Sequence, residues 1–357
     1  MPNQDVPNKD DLLLLIETAL VAGGIARDYY ERGDAKVWDK SENHPVTEAD
    51  IAVNNYLEKT LQAARPQYGW LSEETQDDAS RLGAKRSFVV DPIDGTRAFI
   101  DAKPHFTICV AVIEKGVAVA GVVYNPILDE MFEAWLGGGA RLNGVAIKPS
   151  GHATIADCSM IGYPRKFKRL GWPDMRVSIR NSVAYRIVMV AAGLRDATVV
   201  FTPKSDWDLA AADIIAREAG AIVTDLDGKA FHYAKDGVKE NGVICASPRL
   251  HALLLRQVKV AGTPSKPNQL ETKMSDHKNK SPEQLLHIVI GGELIDPMKT
   301  EFKDLSKVEY VGAYPNYEKA RNAWKNAAQR TVDNAHMRFF ILHAHHLIDP
   351  DNDGVIG

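Results

Sequence analysis

The sequence predicts a layered α/β or α+β sandwich. Three observations carry this. Helical and strand periodicities alternate in blocks over roughly the first 260 residues. The strand segments are short and rich in valine and isoleucine, with glycine turns between several of them. One apolar strand runs directly into paired carboxylates, in Phe88-Val-Val-Asp91-Pro92-Ile93-Asp94-Gly95-Thr96.

The elements follow in chain order. Asp10-Asp11 reads as a helix start, with Leu12, Ile16, Ala19 and Leu20 at helical spacing. A second helix starts at Ala49 or Asp50 and runs through Leu57 and Leu61. Phe88–Val90 is a short buried strand. Phe106–Ile113 and Val117–Tyr124 are strands joined at Glu114-Lys115-Gly116, a hairpin signal. Met131–Trp135 is another strand, with Gly137-Gly138-Gly139 as its turn. Tyr185–Ala192 and Asp208–Ala219 read as helices, each followed by a glycine suited to the left-handed position after a helix end. Ile222-Val223 and Phe231–Tyr233 flank Asp227-Gly228 and read as a hairpin. Val243–Ala246 is a last strand and Arg249–Val260 a closing helix.

At Ala261 the composition changes. Residues 262–283 are polar, contain Pro264 and Pro267, and show no apolar period, which is a linker. Met274 lies inside it, either as the relic of a separate start or as an incidental methionine. The expected domains are therefore residues 1–261, a linker over 262–283, and a small α/β module over 284–357. In that module strands at Leu285–Ile290 and Val308–Ala313, a helix at Tyr317–Val332 and a strand at Met337–His343 give the order ββαβ. Tyr317, Ala320, Trp324, Ala327 and Thr331 share one face of the helix.

Composition narrows the class. The 357 residues are 45% hydrophobic and 25% charged, as in an ordinary globular protein. A net charge of -4 offers no whole-chain signal of a nucleic-acid partner. Cys109, Cys158 and Cys245 are far apart and form no C-x-x-C pair, which suits reduced thiols. The apolar run Leu12–Ile16 is too short for a membrane span. These readings place the chain in the cytoplasm, away from membranes.

Four acidic clusters carry the chemistry. Pro45-Val46-Thr47-Glu48-Ala49-Asp50 opens a helix, and Glu73-Glu74 follows Tyr68-Gly69-Trp70. Asp91 and Asp94 flank a rigid Pro-Ile corner. Ser205-Asp206-Trp207-Asp208 begins a helix. Singly, Asp50 and Asp208 are equally well read as helix caps, and Glu73-Glu74 as a solvated pair. Gly95 lets the backbone approach a ligand. A helix starting at Thr96 would turn its N–H groups towards an anion there.

Together these motifs resemble the inositol monophosphatase superfamily over residues 11 to about 255. The resemblance rests on Asp91-Pro92-Ile93-Asp94-Gly95-Thr96 and Trp207-Asp208-Leu209-Ala210-Ala211, with Thr47-x-x-Asp50 and Glu73-Glu74 at the expected places. Gly121-Val-Val-Tyr124-Asn-Pro126 and Gly139-Ala-Arg-Leu142-Asn143-Gly144 also look like family segments. The resemblance implies an α-β-α-β-α sandwich, Mg²⁺-dependent phosphomonoester hydrolysis, inhibition by lithium and a homodimer. It implies that Glu73, Asp91 and the Ile93 carbonyl hold one Mg²⁺, and that Asp91, Asp94 and Asp208 hold a second, roughly 4 Å away. All are oxygen donors, which suit a hard cation. Thr96 and Asp50 would orient or deprotonate the attacking water. The Gly95 and Thr96 N–H groups would bind phosphate, and Glu74 would support the site or a third, weaker ion.

The leaving-group side is less typical. An acid that would bind inositol hydroxyls is expected about where Phe201 stands, and phenylalanine cannot accept those bonds. Lys204 could meet a second phosphate. Arg97 resembles the basic residue of the branch that hydrolyses 3'-phosphoadenosine 5'-phosphate. Arg180-Asn181-Ser182 and Arg186 add candidate anion contacts, with a solvent-facing Arg186 as the alternative. The reading leans to a 3'(2'),5'-bisphosphate nucleotidase over an inositol-1-phosphate phosphatase. A regulatory protein on the same fold is the other alternative, because one branch of the family contacts the transcription machinery. The C-terminal module resembles a small alphaproteobacterial domain of unknown function and would serve a protein partner or a dimer. Asp349-Pro-Asp351-Asn-Asp353-Gly354 resembles half of a calcium loop but lacks its closing glutamate. His343 and His345 share a strand face, which more often marks surface than a metal pair.

Overall fold

The computed structural model describes residues 5–41, 44–77, 79–233, 237–261, 287–295, 302–315, 317–331, 334 and 336–342. The chain divides into two compact units, Met1–Lys266 and Pro267–Gly357. The predicted linker, Met274, His343, His345, His346 and the acidic stretch from Asp349 lie outside the described residues.

In the first unit, α1 (Asp5–Arg32) begins ahead of Asp10-Asp11. Asp11 is not a helix start. It is buried, with Arg65 at 3.0 Å, Arg86 at 2.7 Å and the Tyr68 hydroxyl at 2.9 Å. A hairpin of β1 (Val37–Ser41) and β2 (His44–Thr47) leads into α2 (Glu48–Ala64). Next come β3 (Gly69–Ser72), β4 (Arg86–Asp94) and the short α3 (Thr96–Ile100). Strands β5 (Thr107–Glu114), β6 (Val117–Asn125), β7 (Glu130–Trp135), β8 (Ala140–Leu142) and β9 (Val145–Ala146) complete a seven-stranded sheet in chain order from β3 to β9. Only the β3–β4 pair is parallel.

The chain continues through β10 (Ser159–Ile161), α4 (Pro164–Arg169), β11 (Arg176–Ser178), α5 (Val183–Ala191) and β12 (Ala197–Val200). It then forms β13 (Lys204–Ser205), α6 (Asp206–Glu218), β14 (Ile222–Thr224), β15 (Lys239–Glu240), β16 (Val243–Ala246) and α7 (Pro248–Ala261). The second sheet has five strands in the order β11-β10-β12-β16-β14.

Strand alternation builds the layers. Phe88, Val90, Ile108, Val110 and Val122 face α1 and α2. The intervening residues Val89, Cys109, Ala111 and Val123 face α5 and α6, whose far side meets Val223, Val243 and Cys245 of the second sheet. The other face of that sheet, with Met160, Val199, Ile244 and Ala246, packs on Leu250, Leu254 and Val258 of α7. This is the five-layer α-β-α-β-α sandwich. Helix α5 is buried at all nine positions, as a helix between two sheets must be. Gly121 permits the close approach of α6, since a β-carbon there would stand 2.7 Å from Ile214 and 3.0 Å from the Ala211 backbone.

One strand pairing differs from expectation. The turn at Asp227-Gly228 forms, with Gly228 at φ +86. Phe231–Tyr233, however, is not a strand. The Tyr233 N–H donates to the Gly116 carbonyl at the β5–β6 turn, and β14 takes β16 as its partner. Among the described residues no helix is long and apolar enough to cross a membrane.

The second unit contains β17 (His287–Glu293), β18 (Glu309–Tyr314), α8 (Tyr317–Arg330) and β19 (Met337–Leu342). The antiparallel sheet runs β18-β17-β19. Helix α8 packs on it through buried Ala320 and Ala327. The Trp324 indole N–H donates to the Phe339 carbonyl at 2.7 Å.

Candidate active site

The site forms where β4 leaves the large sheet. Asp91 pairs with Cys109 of β5 and Asp94 with Thr107, and the register shifts between them. Such a bulge bends the strand and re-aims its side chains. Both carboxylates are buried. The Ile93 N–H donates to Asp91 Oδ1 at 3.1 Å, holding the corner. Gly95 follows at φ +103, a conformation that favours glycine, and α3 starts at Thr96.

Asp208 enters from the first turn of α6. One carboxylate oxygen each from Asp91, Asp94 and Asp208 lies within 4.8 Å of the others. The cap reading and the site reading of Asp208 both hold, because its Oδ2 also accepts the Ser205 N–H at 2.8 Å. Asp50 divides in the same way. Its Oδ2 accepts the Thr47 N–H at 2.8 Å and the Thr47 hydroxyl at 2.5 Å, while Oδ1 faces the Thr96 hydroxyl at 3.2 Å. The Thr96 hydroxyl is also 3.2 Å from the Ile93 carbonyl. With one hydrogen it serves one of these acceptors at a time.

Burial and mutual repulsion dominate the electrostatics. Burial, then Glu73, Asp94, Asp208 and Asp50, push the Asp91 carboxyl well above the usual range. Burial and Asp208 raise Asp94 to about 6, against the opposing pull of Ser182, the Ala184 N–H and Lys204. Burial raises Asp50 to about 6, opposed mainly by its bonds to Thr47, with Glu74 adding to the rise. Three converging carboxylates, of which Asp91 and Asp94 are pushed towards their neutral forms, fit a hard divalent cation, which would relieve that repulsion.

The carboxylates open into a cavity of about 540 Å³. Glu73, Asp91, Ile93, Asp94, Thr96 and Asp208 all line it, as do Gly95, Arg97 and Lys204. Arg186 does not. Its guanidinium is buried, donates to the Arg180 carbonyl at 2.7 Å and lies 5.2 Å from the Tyr163 ring centre. Neither of its sequence-based readings, substrate contact or solvent-facing charge, matches this position. Ser182 is likewise spent inside the protein, donating to Asp94 Oδ2 at 2.6 Å. Phe201 does not line the cavity either, and packs edge-on against Phe167 and Trp172. Tyr163 and Lys239 line the cavity without a sequence signal, and Trp207 of the Trp207-Asp208 motif lines it too. Lys239 reaches it only through the pairing of β15 with β13.

A sandwich of this layering, with clustered acids beside a glycine turn, has the donor chemistry to hold a divalent cation next to an anion. Residues 9–262 match the inositol monophosphatase family, and residues 285–344 match a domain of unknown function, DUF4170. An inositol-1-monophosphatase of Mesorhizobium japonicum is 31% identical over 70% of this chain and 96% of its own length. A Nus factor SuhB of Pasteurella multocida is 32% identical over 69% of this chain and 95% of its own. The structure of an IMPase from Thermotoga maritima superposes with a TM-score of 0.63 at 27% identity, covering 71% of this chain and 98% of that one. The chain belongs to the inositol monophosphatase family, whose members are phosphomonoesterases and generally depend on Mg²⁺.

Proposed function

We propose that this chain hydrolyses a small phosphorylated metabolite with two or three Mg²⁺ ions, and that its substrate is a 3'(2'),5'-bisphosphorylated nucleoside. The observation that supports hydrolysis is the convergence of Asp91, Asp94 and Asp208 on one point within a cavity that Glu73 also lines. Asp91, Glu73 and the Ile93 carbonyl would hold one ion, and Asp91, Asp94 and Asp208 another. Bound there, the ions would supply an acidified water and neutralise charge on the phosphate. Thr96 and Asp50 orient that water. Asp50 Oδ2 is pinned by Thr47, so Oδ1 is presented to Thr96 in a fixed direction. In the ion-free protein burial raises the Asp50 carboxyl to about 6, above the usual carboxylate range, which makes it a stronger proton acceptor than an exposed aspartate. The Gly95 and Thr96 N–H groups receive phosphate oxygens.

The nucleotide reading rests on the cavity wall. Arg97 and Lys204 supply cations, and the Tyr163 and Trp207 rings supply faces on which a base can stack. Phe201 stands off the cavity, packed against Phe167 and Trp172, and bears on neither substrate. The test is phosphate release with Mg²⁺ from adenosine 3',5'-bisphosphate, inositol 1-phosphate, fructose 1,6-bisphosphate and histidinol phosphate, with and without lithium. Lithium-sensitive preference for the first is expected. Asp91→Asn should lower turnover by more than about a hundredfold with the fold intact; undiminished turnover would sink the reading.

A second reading is a regulatory role through a macromolecular partner, favoured by relatives named as Nus factors and by the added C-terminal unit. Capture of a specific partner by the full chain, lost on deleting residues 284–357, would support it. The cytoplasm as location and a homodimer as assembly belong to the same proposal; sedimentation at micromolar concentration tests the latter.

A further inference from the structure

Lys204 and Lys239 come from distant parts of the sequence and meet on a two-stranded ribbon. Strand β13 pairs antiparallel with β15, with Lys204 opposite Glu240 and Ser205 opposite Lys239. Both lysines line the cavity that holds the acidic cluster. Lys239 is held in place. Its Nζ donates to Ser205 Oγ at 2.7 Å and lies 5.9 Å from the Trp207 ring centre. Lys204 acts on Asp94 through space, which places it on the metal side of the cavity. Neither lysine forms an ion pair among the described residues.

The charge balance gives these lysines a use. Glu73, Asp91, Asp94 and Asp208 are the carboxylates lining the cavity. Two divalent ions would cancel them, and the same ions with the Gly95–Thr96 turn take the scissile phosphate. Arg97, Lys204 and Lys239 then remain as cations lining the cavity, and of these the Lys239 ammonium stands beside the Trp207 ring. An ammonium close to an apolar ring and away from counter-charge attracts an anion strongly.

We infer that Lys239 and Lys204 form a second anion subsite, which selects phosphomonoesters whose leaving group carries a further phosphate or carboxylate. This rests on the phosphatase reading above and adds Lys239 to the residues that select its leaving group. Lys239 is the specificity residue of the pair, because it stands outside the acidic cluster and its Nζ is positioned by Ser205.

Matched substrates test it. Adenosine 3',5'-bisphosphate and adenosine 3'-phosphate differ by one phosphate; 3-phosphoglycerate and glycerol 3-phosphate differ by a carboxylate. In the full-length protein the ratio of kcat/KM within a pair should favour the doubly anionic member. It should fall by about tenfold in Lys239→Ala and recover in Lys239→Arg. The pair that responds identifies the anion as phosphate or carboxylate. Titration calorimetry of adenosine 3',5'-bisphosphate with Mg²⁺ on Asp50→Asn, in which hydrolysis is slowed, reads binding without turnover. Adding Lys239→Ala to that variant should weaken binding by about tenfold. Turnover of both members of each pair with ratios unmoved by Lys239→Ala overturns the subsite and leaves the phosphatase reading intact. Absence of all turnover overturns the phosphatase reading, and the calorimetric comparison then decides the subsite alone.

Discussion

Ser182 Oγ donates to Asp94 Oδ2 at 2.6 Å across 88 residues of sequence, and the same oxygen accepts the Tyr185 N–H at 2.9 Å. Thr107 Oγ1 stands 3.0 Å away and completes the environment of the hydroxyl. Asp94 also receives the Ala184 N–H at 2.7 Å. The residue that starts α5 therefore fixes the rotamer of a candidate metal ligand on β4.

Ser182→Ala should weaken Mg²⁺ binding by about tenfold, the usual effect of removing a group that orients a ligand. The apparent Mg²⁺ constant should rise while KM for the phosphomonoester stays nearly unchanged. Mg²⁺ titrations of turnover and of intrinsic fluorescence check it.

Activity should fall with acid in step with Asp50. Its carboxyl sits at about 6 in the ion-free protein because of burial. Nearby cations pull that value down, so the acidic limb of kcat/KM should lie at or below about pH 6. Asp50→Asn should lower turnover and flatten that limb; an unchanged limb would assign the titration to another group.

The ion-free protein should lose stability as pH rises. The folded-state values of Asp91 and Asp94 lie above the unfolded carboxyl value, so folding favours their protonated forms. The contribution is fully present below about pH 4 and is lost as pH rises through about 6 for Asp94; Asp91, raised well above the usual carboxylate range, acts in the same sense. The thermal midpoint without metal should therefore be lower at about pH 7.5 than these groups allow at about pH 5. Saturating Mg²⁺ should raise it by a few degrees more at the higher pH. Scanning calorimetry with and without chelator tests the sign.

Phe201→Glu, which restores the acid expected for inositol, should not create inositol phosphatase activity. Phe201 packs against Phe167 at 5.8 Å and Trp172 at 5.9 Å between ring centres and does not line the cavity. The change should destabilise the protein by about 2 kcal/mol. Rapid hydrolysis of inositol 1-phosphate by this variant would contradict the packing.

The sequence carried the parts of the site that are local. Asp91 and Asp94 stand at one strand end, and Thr47–Asp50 and Ser205–Asp208 are capping boxes that also supply site acids. The layering was legible because helical and strand periods alternate. Contacts across the fold were not. Ser182 and Arg186 read as anion contacts because nothing local shows that Asp94 and the Arg180 carbonyl claim them. Lys239 carries no local signal, because its place depends on a two-residue ribbon. Phe231–Tyr233 has strand composition, yet its backbone goes to Gly116, a partner more than a hundred positions earlier.

Helices α5 and α6 lie between the two sheets, and both begin at the cavity, where Asn181 and Ser205 line it. Their interior faces leave little freedom for change, since each side chain fills space shared by two sheets. The wall residues Arg97, Tyr163, Lys204 and Lys239 stand outside that shared interior. Affinity for the ions and choice of leaving group are thus separable traits. A lineage could exchange one substrate for another by altering the wall alone, while the machinery that breaks the phosphate ester is inherited intact.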